Sequence, residues 1–233
     1  MKNLIPPSLI PGILAMAVIV VASNILVQHP MGAYLTYGAL TYPLSFLVND
    51  LVNRLQGVTA ARRVVLTGFV VGLVCSVIGT QILGEFGPLV TLRVALGSGA
   101  AFLVGQLLDV AIFDRLRRAA WWRAPLVSSL IGSTVDSVIF FTIAFSLSLS
   151  FLEPGNDVSW AAEPGALLGF GPVVPFWVSL ALADTCVKFA IAVFGLLPFR
   201  LIVARKLAPI AKKLLTNTKS VSRSPYRQPI ERR

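Results

Sequence analysis

Charge is what this sequence most lacks. Only 13% of its 233 residues are Asp, Glu, Lys or Arg, against about 25% in an ordinary soluble domain. That is too little to cover a water-facing surface. Cysteine is nearly absent too: Cys75 and Cys186 are the only two, both inside apolar runs. Neither lies near a second cysteine or a histidine at metal-ligand spacing, so they read as inert buried thiols, with no disulfide and no metal site. The single histidine, His29, sits in a short loop between apolar runs. With no Ser-His pairing and no His cluster, nothing names a catalytic reaction. No phosphate-cradling G-x-x-x-x-G-K-[ST] loop occurs, so the chain does not read as an ATPase or any other enzyme, and no cofactor is expected.

What is present is apolar. Hydrophobic residues make up 56% of the chain, and the mean hydropathy is +0.81. A bilayer core takes about 20 apolar residues per helix, and lipid requires each span to satisfy its own backbone hydrogen bonds. The apolar windows are continuous and lack period-two alternation, so the expected fold is all-α: a polytopic membrane bundle of six transmembrane helices. The windows fall at roughly 10–28, 32–53, 64–83, 92–113, 126–151 and 172–199. Gly and Pro punctuate them, as in His29-Pro30, Gly84-Glu85-Phe86-Gly87-Pro88 and Glu153-Pro154-Gly155. The first window reads as a retained span rather than a cleaved leader. Two prolines precede it, and Asn24 and Leu26-Val27 carry it past Val21-Ala22-Ser23.

The few charges choose an orientation. Arg54, Arg62 and Arg63 follow the second window, and Arg115, Arg117, Arg118 and Arg123 follow the fourth. The alternate loops carry Glu85, Glu153, Asp157 and Glu163. Basic loops stay in the cytoplasm, which puts both ends of the chain there. The formal net charge of +10 is then positive-inside bias plus a basic tail, and needs no nucleic acid. Residues 1–199 form the membrane domain. Residues 200–233 form a basic cytoplasmic tail that can rest on anionic lipid, and its distal part from Thr216 is expected to be disordered.

Against this background, polar residues inside the spans carry the information. Of ten acids, four fall within or near span interiors: Asp50, Asp109, Asp136 and Asp184. A charge at a helix centre costs about 2.5–3.5 kcal/mol on insertion scales, and such residues face the bundle or mark transport paths. Gly97, Ala101, Gly105 and Asp109 recur every fourth residue, as do Ser128, Gly132 and Asp136. Small residues at that spacing let helices approach. Such stripes, and a third at Gly68, Gly72 and Ser76, serve packing within one chain or a homo-oligomer. Asp184 and Lys188 are four apart and can pair on one helix face. Alternatively, Lys188 also meets an acid on another helix, or a substrate. Arg93 snorkels to the outer headgroups or belongs to a site. Asp50 and Asn53 mark either a solvated helix end or part of that site. The candidate substrate-binding set is Asn24, Asn49, Asp50, Arg93, Gln106, Asp109, Asp136 and Lys188. Carboxylates and amides of this kind, flanked by Phe140 and Phe141, suit a flat polar heterocycle, with an acid accepting two adjacent N–H groups and a ring stacking on its face.

Several stretches resemble one family. Ser23-Asn24-Ile25-Leu26 and the run from Thr41-Tyr42-Pro43 through Asn49-Asp50-Leu51-Val52-Asn53 resemble the first spans of the queuosine precursor transporters, also called the putative vitamin uptake transporters. The stretches Arg93-Val94-Ala95-Leu96-Gly97-Ser98 and Gln106-Leu107-Leu108-Asp109-Val110 resemble the fourth span. The stretch from Asp136-Ser137-Val138 to Phe145 resembles the fifth. The resemblance covers about residues 20 to 199, with Arg54 standing where the family pattern has a second acid. It implies a bacterial inner-membrane importer of 7-deazaguanines, such as 7-cyano-7-deazaguanine, for tRNA queuosine. Within the sixth span only Lys188 matches the family. The site residues above come from polarity in apolar surroundings, not from the resemblance. The alternative is a substrate-binding membrane subunit of a vitamin transporter powered by separate ATPase partners.

Overall fold

The computed structural model describes residues 6–84 and 87–221. Among the described residues, five helices are long and apolar enough to cross a membrane. They are α1 (Ile10–Leu26), α4 (Val58–Gln81), α5 (Leu92–Leu116), α6 (Arg123–Phe145) and α8 (Phe176–Val221), and the crossing part of α8 is Phe176–Lys206. The second expected span is delivered in two pieces, α2 (Tyr37–Thr41) and α3 (Leu44–Gln56). Proline explains the break. Pro43 has no N–H to offer the preceding turn, and the chain passes it with i to i+3 bonds, from Ser45 N–H to the Tyr42 carbonyl and from Phe46 N–H to the Pro43 carbonyl. The first piece, α2, lies directly on α1. A Cβ on Gly38 would come within 2.9 Å of the Val27 backbone, so only glycine permits the contact. Together the two pieces run from Tyr37 to Gln56, roughly 30 Å at 1.5 Å per residue, enough for a bilayer core.

The loops sort into two ends. At one end lie three two-stranded ribbons: Pro30–Met31 with Leu35–Thr36, Leu83–Gly84 with Gly87–Pro88, and Pro164–Ala166 with Val173–Pro175. Gln28 Nε2 donates to the Leu89 carbonyl, tying the first loop to the second. The short helix α7 (Ser159–Ala162) lies in the third loop. At the other end the basic residues meet. Arg54 donates to the Arg117 carbonyl, Arg200 lies over the Trp121 ring, and Gln56 reaches the Ser8 carbonyl.

Several window ends move from their expected places, and α4 begins at Val58 rather than near 64. α6 stops at Phe145 rather than near 151, because Ser146 is extended and a 3-10 turn follows at Leu147–Leu152. α8 begins at Phe176 and continues past 199 to Val221, with Pro198 and Pro209 inside it. Thr216–Val221 are therefore helical, and the rest of the expected disordered tail, from Ser222, lies outside the described residues. The two cysteines are not deeply buried: Cys75 is half-buried and Cys186 is exposed. An apolar residue on a membrane helix can face lipid as readily as core, and apolar context alone does not separate the two. The same holds for Val70, Leu73 and Val77 on α4 and Val193, Phe194 and Leu197 on α8, all exposed. The inner faces close on Met16, Val20, Val64, Val65, Phe102 and Val110.

The tightest helix contact is α5 on α6, and the small-residue stripes make it. A Cβ on Gly105 would lie 2.8 Å from the Asp136 Cβ and 3.0 Å from the Gly132 carbonyl oxygen. A Cβ on Gly132 would lie 2.9 Å from the Gly105 carbonyl oxygen and 3.0 Å from the Asp109 Cβ. Backbone and buried acids cannot yield as a flexible side chain would. Gly105→Val should therefore destabilise the purified protein by about 1–3 kcal/mol, the usual cost of overpacking, read as a lowered Tm in detergent. Gly155→Val, where a Cβ meets nothing within 4 Å, should leave the Tm unchanged.

Candidate functional site

Three buried polar knots lie along the bundle. The first joins α6 and α8 to the break between α2 and α3. Lys188 Nζ lies 2.6 Å from Asp136 Oδ2 and 2.6 Å from Asp184 Oδ2, and donates to Ser137 Oγ at 2.8 Å. Ser137 in turn donates to Asp184 at 2.7 Å. Tyr42 donates its hydroxyl to Asp136 Oδ1 at 2.6 Å, and its ring lies 5.3 Å from the Lys188 ammonium. Both sequence readings of Lys188 are thus realised: it pairs within its own helix and with an acid on another. Two carboxylates face one ammonium. With Lys188 and Asp136 at 4% side-chain exposure, the pair is strong only because each member is hydrogen-bonded as well as paired.

The second knot joins α3, α5 and α6. Asn49 Nδ2 donates to Asp109 Oδ2 at 3.0 Å and to the Gln106 carbonyl at 3.3 Å. Gln106 Nε2 donates to Ser45 Oγ at 2.7 Å. Asp50 accepts from Ser128 at 3.3 Å and Ser129 at 3.1 Å. All of these side chains are buried, so Asp50 is not at a solvated helix end.

The third knot closes the basic end. Asn53, fully buried, donates to the Val110 carbonyl and accepts from Arg117 through both its side-chain and main-chain oxygens. Arg117 also pairs with Asp114. Asn53 is a helix–helix clamp.

Two nominated residues stand apart. Asn24 returns its amide to the Val20 carbonyl of its own helix at 2.9 Å. Arg93 is fully buried and does not snorkel. Its Nε donates to the Ile143 carbonyl at 2.9 Å and its Nη2 to the Ser146 carbonyl at 2.5 Å, which satisfies carbonyls left over at the C-terminus of α6. Glu153 reciprocates by accepting from Leu92 N–H at 3.1 Å and Arg93 N–H at 3.0 Å, an anion at the N-terminus of α5 where the helix dipole favours it. The residues that sequence reasoning did not nominate are Tyr42, Ser45, Ser128, Ser129 and Ser137. Serines on a small-residue stripe look like packing, and only the third dimension shows which hydroxyls meet carboxylates.

A cleft runs beside α8 from Lys188 to Phe199, with Asp50, Ser129 and Ser133 on its opposite wall. It offers about 20 Å³ to the centre of a water molecule. That admits a water but not a heterocycle, which needs a pocket of some hundreds of Å³. At the opposite end aromatic rings follow one another across the bundle. Phe141 meets Phe145 at 5.8 Å, Phe145 meets Trp160 at 5.6 Å, Trp160 meets Phe176 at 6.3 Å, and Phe176 meets Tyr34 at 5.9 Å. The site is covered on the side of the three ribbons, and its cleft leads toward the basic end.

Comparison with known proteins gives one consistent result. Residues 36–203 match the family described as "Putative vitamin uptake transporter". The "Queuosine precursor transporter" of Escherichia coli (strain K12) is 33% identical over 195 residues, 77% of this chain and 79% of that protein. A "Probable queuosine precursor transporter" of Haemophilus influenzae is 37% identical over 179 residues, 65% of this chain and 72% of the relative. One from Bacillus subtilis is 26% identical over 205 residues, 80% and 75% respectively. No solved structure matches the chain.

The first knot makes a stability prediction. Lys188→Met leaves two buried acids facing each other without a cation, which should cost about 3–5 kcal/mol. Adding Asp136→Asn and Asp184→Asn removes the orphaned charges and should restore most of the loss. Thermal unfolding of the purified single and triple variants checks this, and equal Tm values for the two would contradict the pairing.

Proposed function

The chain belongs to the "Putative vitamin uptake transporter" family, and from that premise we propose that it imports queuosine precursors, 7-cyano-7-deazaguanine or a related 7-deazaguanine, for tRNA queuosine salvage. The observation that carries the reading is the 33% identity to a queuosine precursor transporter across 79% of that relative's length. A multi-pass α-helical protein with bacterial relatives belongs to the inner membrane, since outer-membrane spans are β-barrels. The second span is taken to cross as the α2–α3 pair, giving six crossings with both ends in the cytoplasm, which agrees with the gathering of Arg54, Arg117 and Arg200 at one end.

The substrate site is the cleft wall formed by Lys188, Ser133 and Asp50, together with Asp136, which pairs with Lys188. A 7-deazaguanine is flat and neutral, with adjacent ring N–H and amino donors on one edge and a carbonyl beside them. A carboxylate accepts the two donors and an ammonium or hydroxyl serves the carbonyl. Asp136 and Lys188 supply that pair, already set in place by Tyr42 and Ser137. Asn24 and Arg93 are left to packing and capping. The closed cleft implies that α8 and the α2–α3 break move apart to admit a ring, as expected where a discontinuous helix lies at the centre of a transporter.

Uptake is tested in a bacterial strain that neither makes queuosine precursors nor has its own importer. Expression of this chain with low external 7-cyano-7-deazaguanine should restore queuosine in tRNA. Asp136→Asn should reduce it at least tenfold with the protein still in the membrane. No restoration by membrane-inserted wild type would overturn the substrate assignment. Orientation is checked separately in a cysteine-free background. Asn156→Cys should react with an impermeant maleimide on intact cells, and Arg118→Cys only after permeabilisation.

A further inference from the structure

The second knot holds more acceptors than donors. Asn49 Oδ1, Gln106 Oε1 and Asp109 Oδ1 are buried without any hydrogen-bond partner, and all three residues are fully buried. The Asn49 amide is fixed in orientation, because turning it over would set its oxygen against the Asp109 and Gln106 oxygens that its Nδ2 now serves. Its Oδ1 is therefore a true unmet acceptor, held beside Asp109. Asp50 follows Asn49 on α3 and accepts from Ser128 and Ser129 of α6, so a second buried acid belongs to the same knot as Asp109. Among the described residues neither is in a salt bridge. The basic groups around them are engaged elsewhere: Lys188 with Asp136 and Asp184, Arg54 with the Arg117 carbonyl, and Arg117 with Asp114 and Asn53. Unmet buried oxygens and unpaired buried charge are each costly, and one monovalent cation meets the oxygens while neutralising one of the two charges.

We propose that Asn49, Gln106 and Asp109, with Asp50 beside them, form a binding site for a sodium ion. A proton held by the two acids would likewise neutralise one charge but leave Asn49 Oδ1 unmet. A hard monovalent cation takes several oxygens at once, from carboxylates and amide carbonyls alike. The ligands come from α3, immediately inside the break at Pro43, and from α5 where it is locked to α6 through Gly105 and Gly132. An ion there bridges the broken span to the rigid helix pair, the place from which ion binding can bias movement of the break. That the ion drives import rests on the transporter reading. That it binds does not.

The test is therefore made without substrate, on the purified full-length protein, with radioactive sodium in a scintillation proximity assay. Saturable binding is expected, displaced by unlabelled sodium and not by choline. Asp109→Asn and Asn49→Ala should each weaken it about tenfold or more, the usual loss at a metal site. Asp114→Asn, in an exposed pair, should leave it unchanged. If a knot variant fails to fold, the wild type still decides, since sodium chloride should raise its Tm above that in choline chloride. Absence of both saturable sodium binding and a sodium-specific shift would overturn the proposal, as would undiminished binding in folded Asp109→Asn. Proton uptake with no sodium binding would also overturn it, assigning the acids to a proton instead.

Discussion

Lipid cannot solvate a charge, and the interior of this bundle is arranged around that fact. Lys188, Asp136 and Asp184 meet because none of them can be left alone in a medium with no water. Their meeting fixes the azimuth of α6 against α8 and anchors Tyr42 at the break in the second span. The same demand places Asp50 on two serines, Asn53 on Arg117 and a helix carbonyl, and Arg93 on the end of α6. Apolar packing alone would not select these orientations, since lipid tails are as apolar as leucine. The polar knots give the bundle its register, and glycines 105 and 132 let α5 and α6 come close enough for them to form.

The arrangement is uneven in a way that suits transport. α5 and α6 are locked together by backbone contacts that no side chain can loosen. The second expected span is interrupted at Pro43, and α3 meets its neighbours through apolar side chains such as Val52 as well as through the buried hydrogen bonds of the second knot. The ribbon end is covered by aromatic rings, and the cleft leads to the basic end.

Much of this was legible in the sequence. Hydropathy located five helices closely because lipid enforces length and apolarity together. The four-residue stripes marked faces of α5 and α6 as helix-facing because close approach demands small residues, without showing that the two faces meet each other. The acids were visible as anomalies. Three things were not legible. Tyr42-Pro43 lay inside one expected window, and that Pro43 interrupts the helix there rather than merely bending it shows only in the structure. Arg93 looked like a snorkelling or ligand-binding residue, because nothing local shows that α6 ends beside it. The serines looked like spacers, since a hydroxyl reveals its partner only in three dimensions. Cys186 shows the converse limit, since an apolar run does not say which face meets lipid.

The central claim is that the small cleft beside Lys188 is where the transported molecule sits. In a cysteine-free background, Ser133→Cys places one thiol on the cleft wall. Its rate of modification by a maleimide would be measured in purified protein with and without 7-cyano-7-deazaguanine. Slowing of several-fold, saturable in the ligand and absent in a second variant carrying Asp136→Asn, is the result predicted here. An unchanged rate while the ligand demonstrably binds the protein would place the molecule elsewhere and contradict the account.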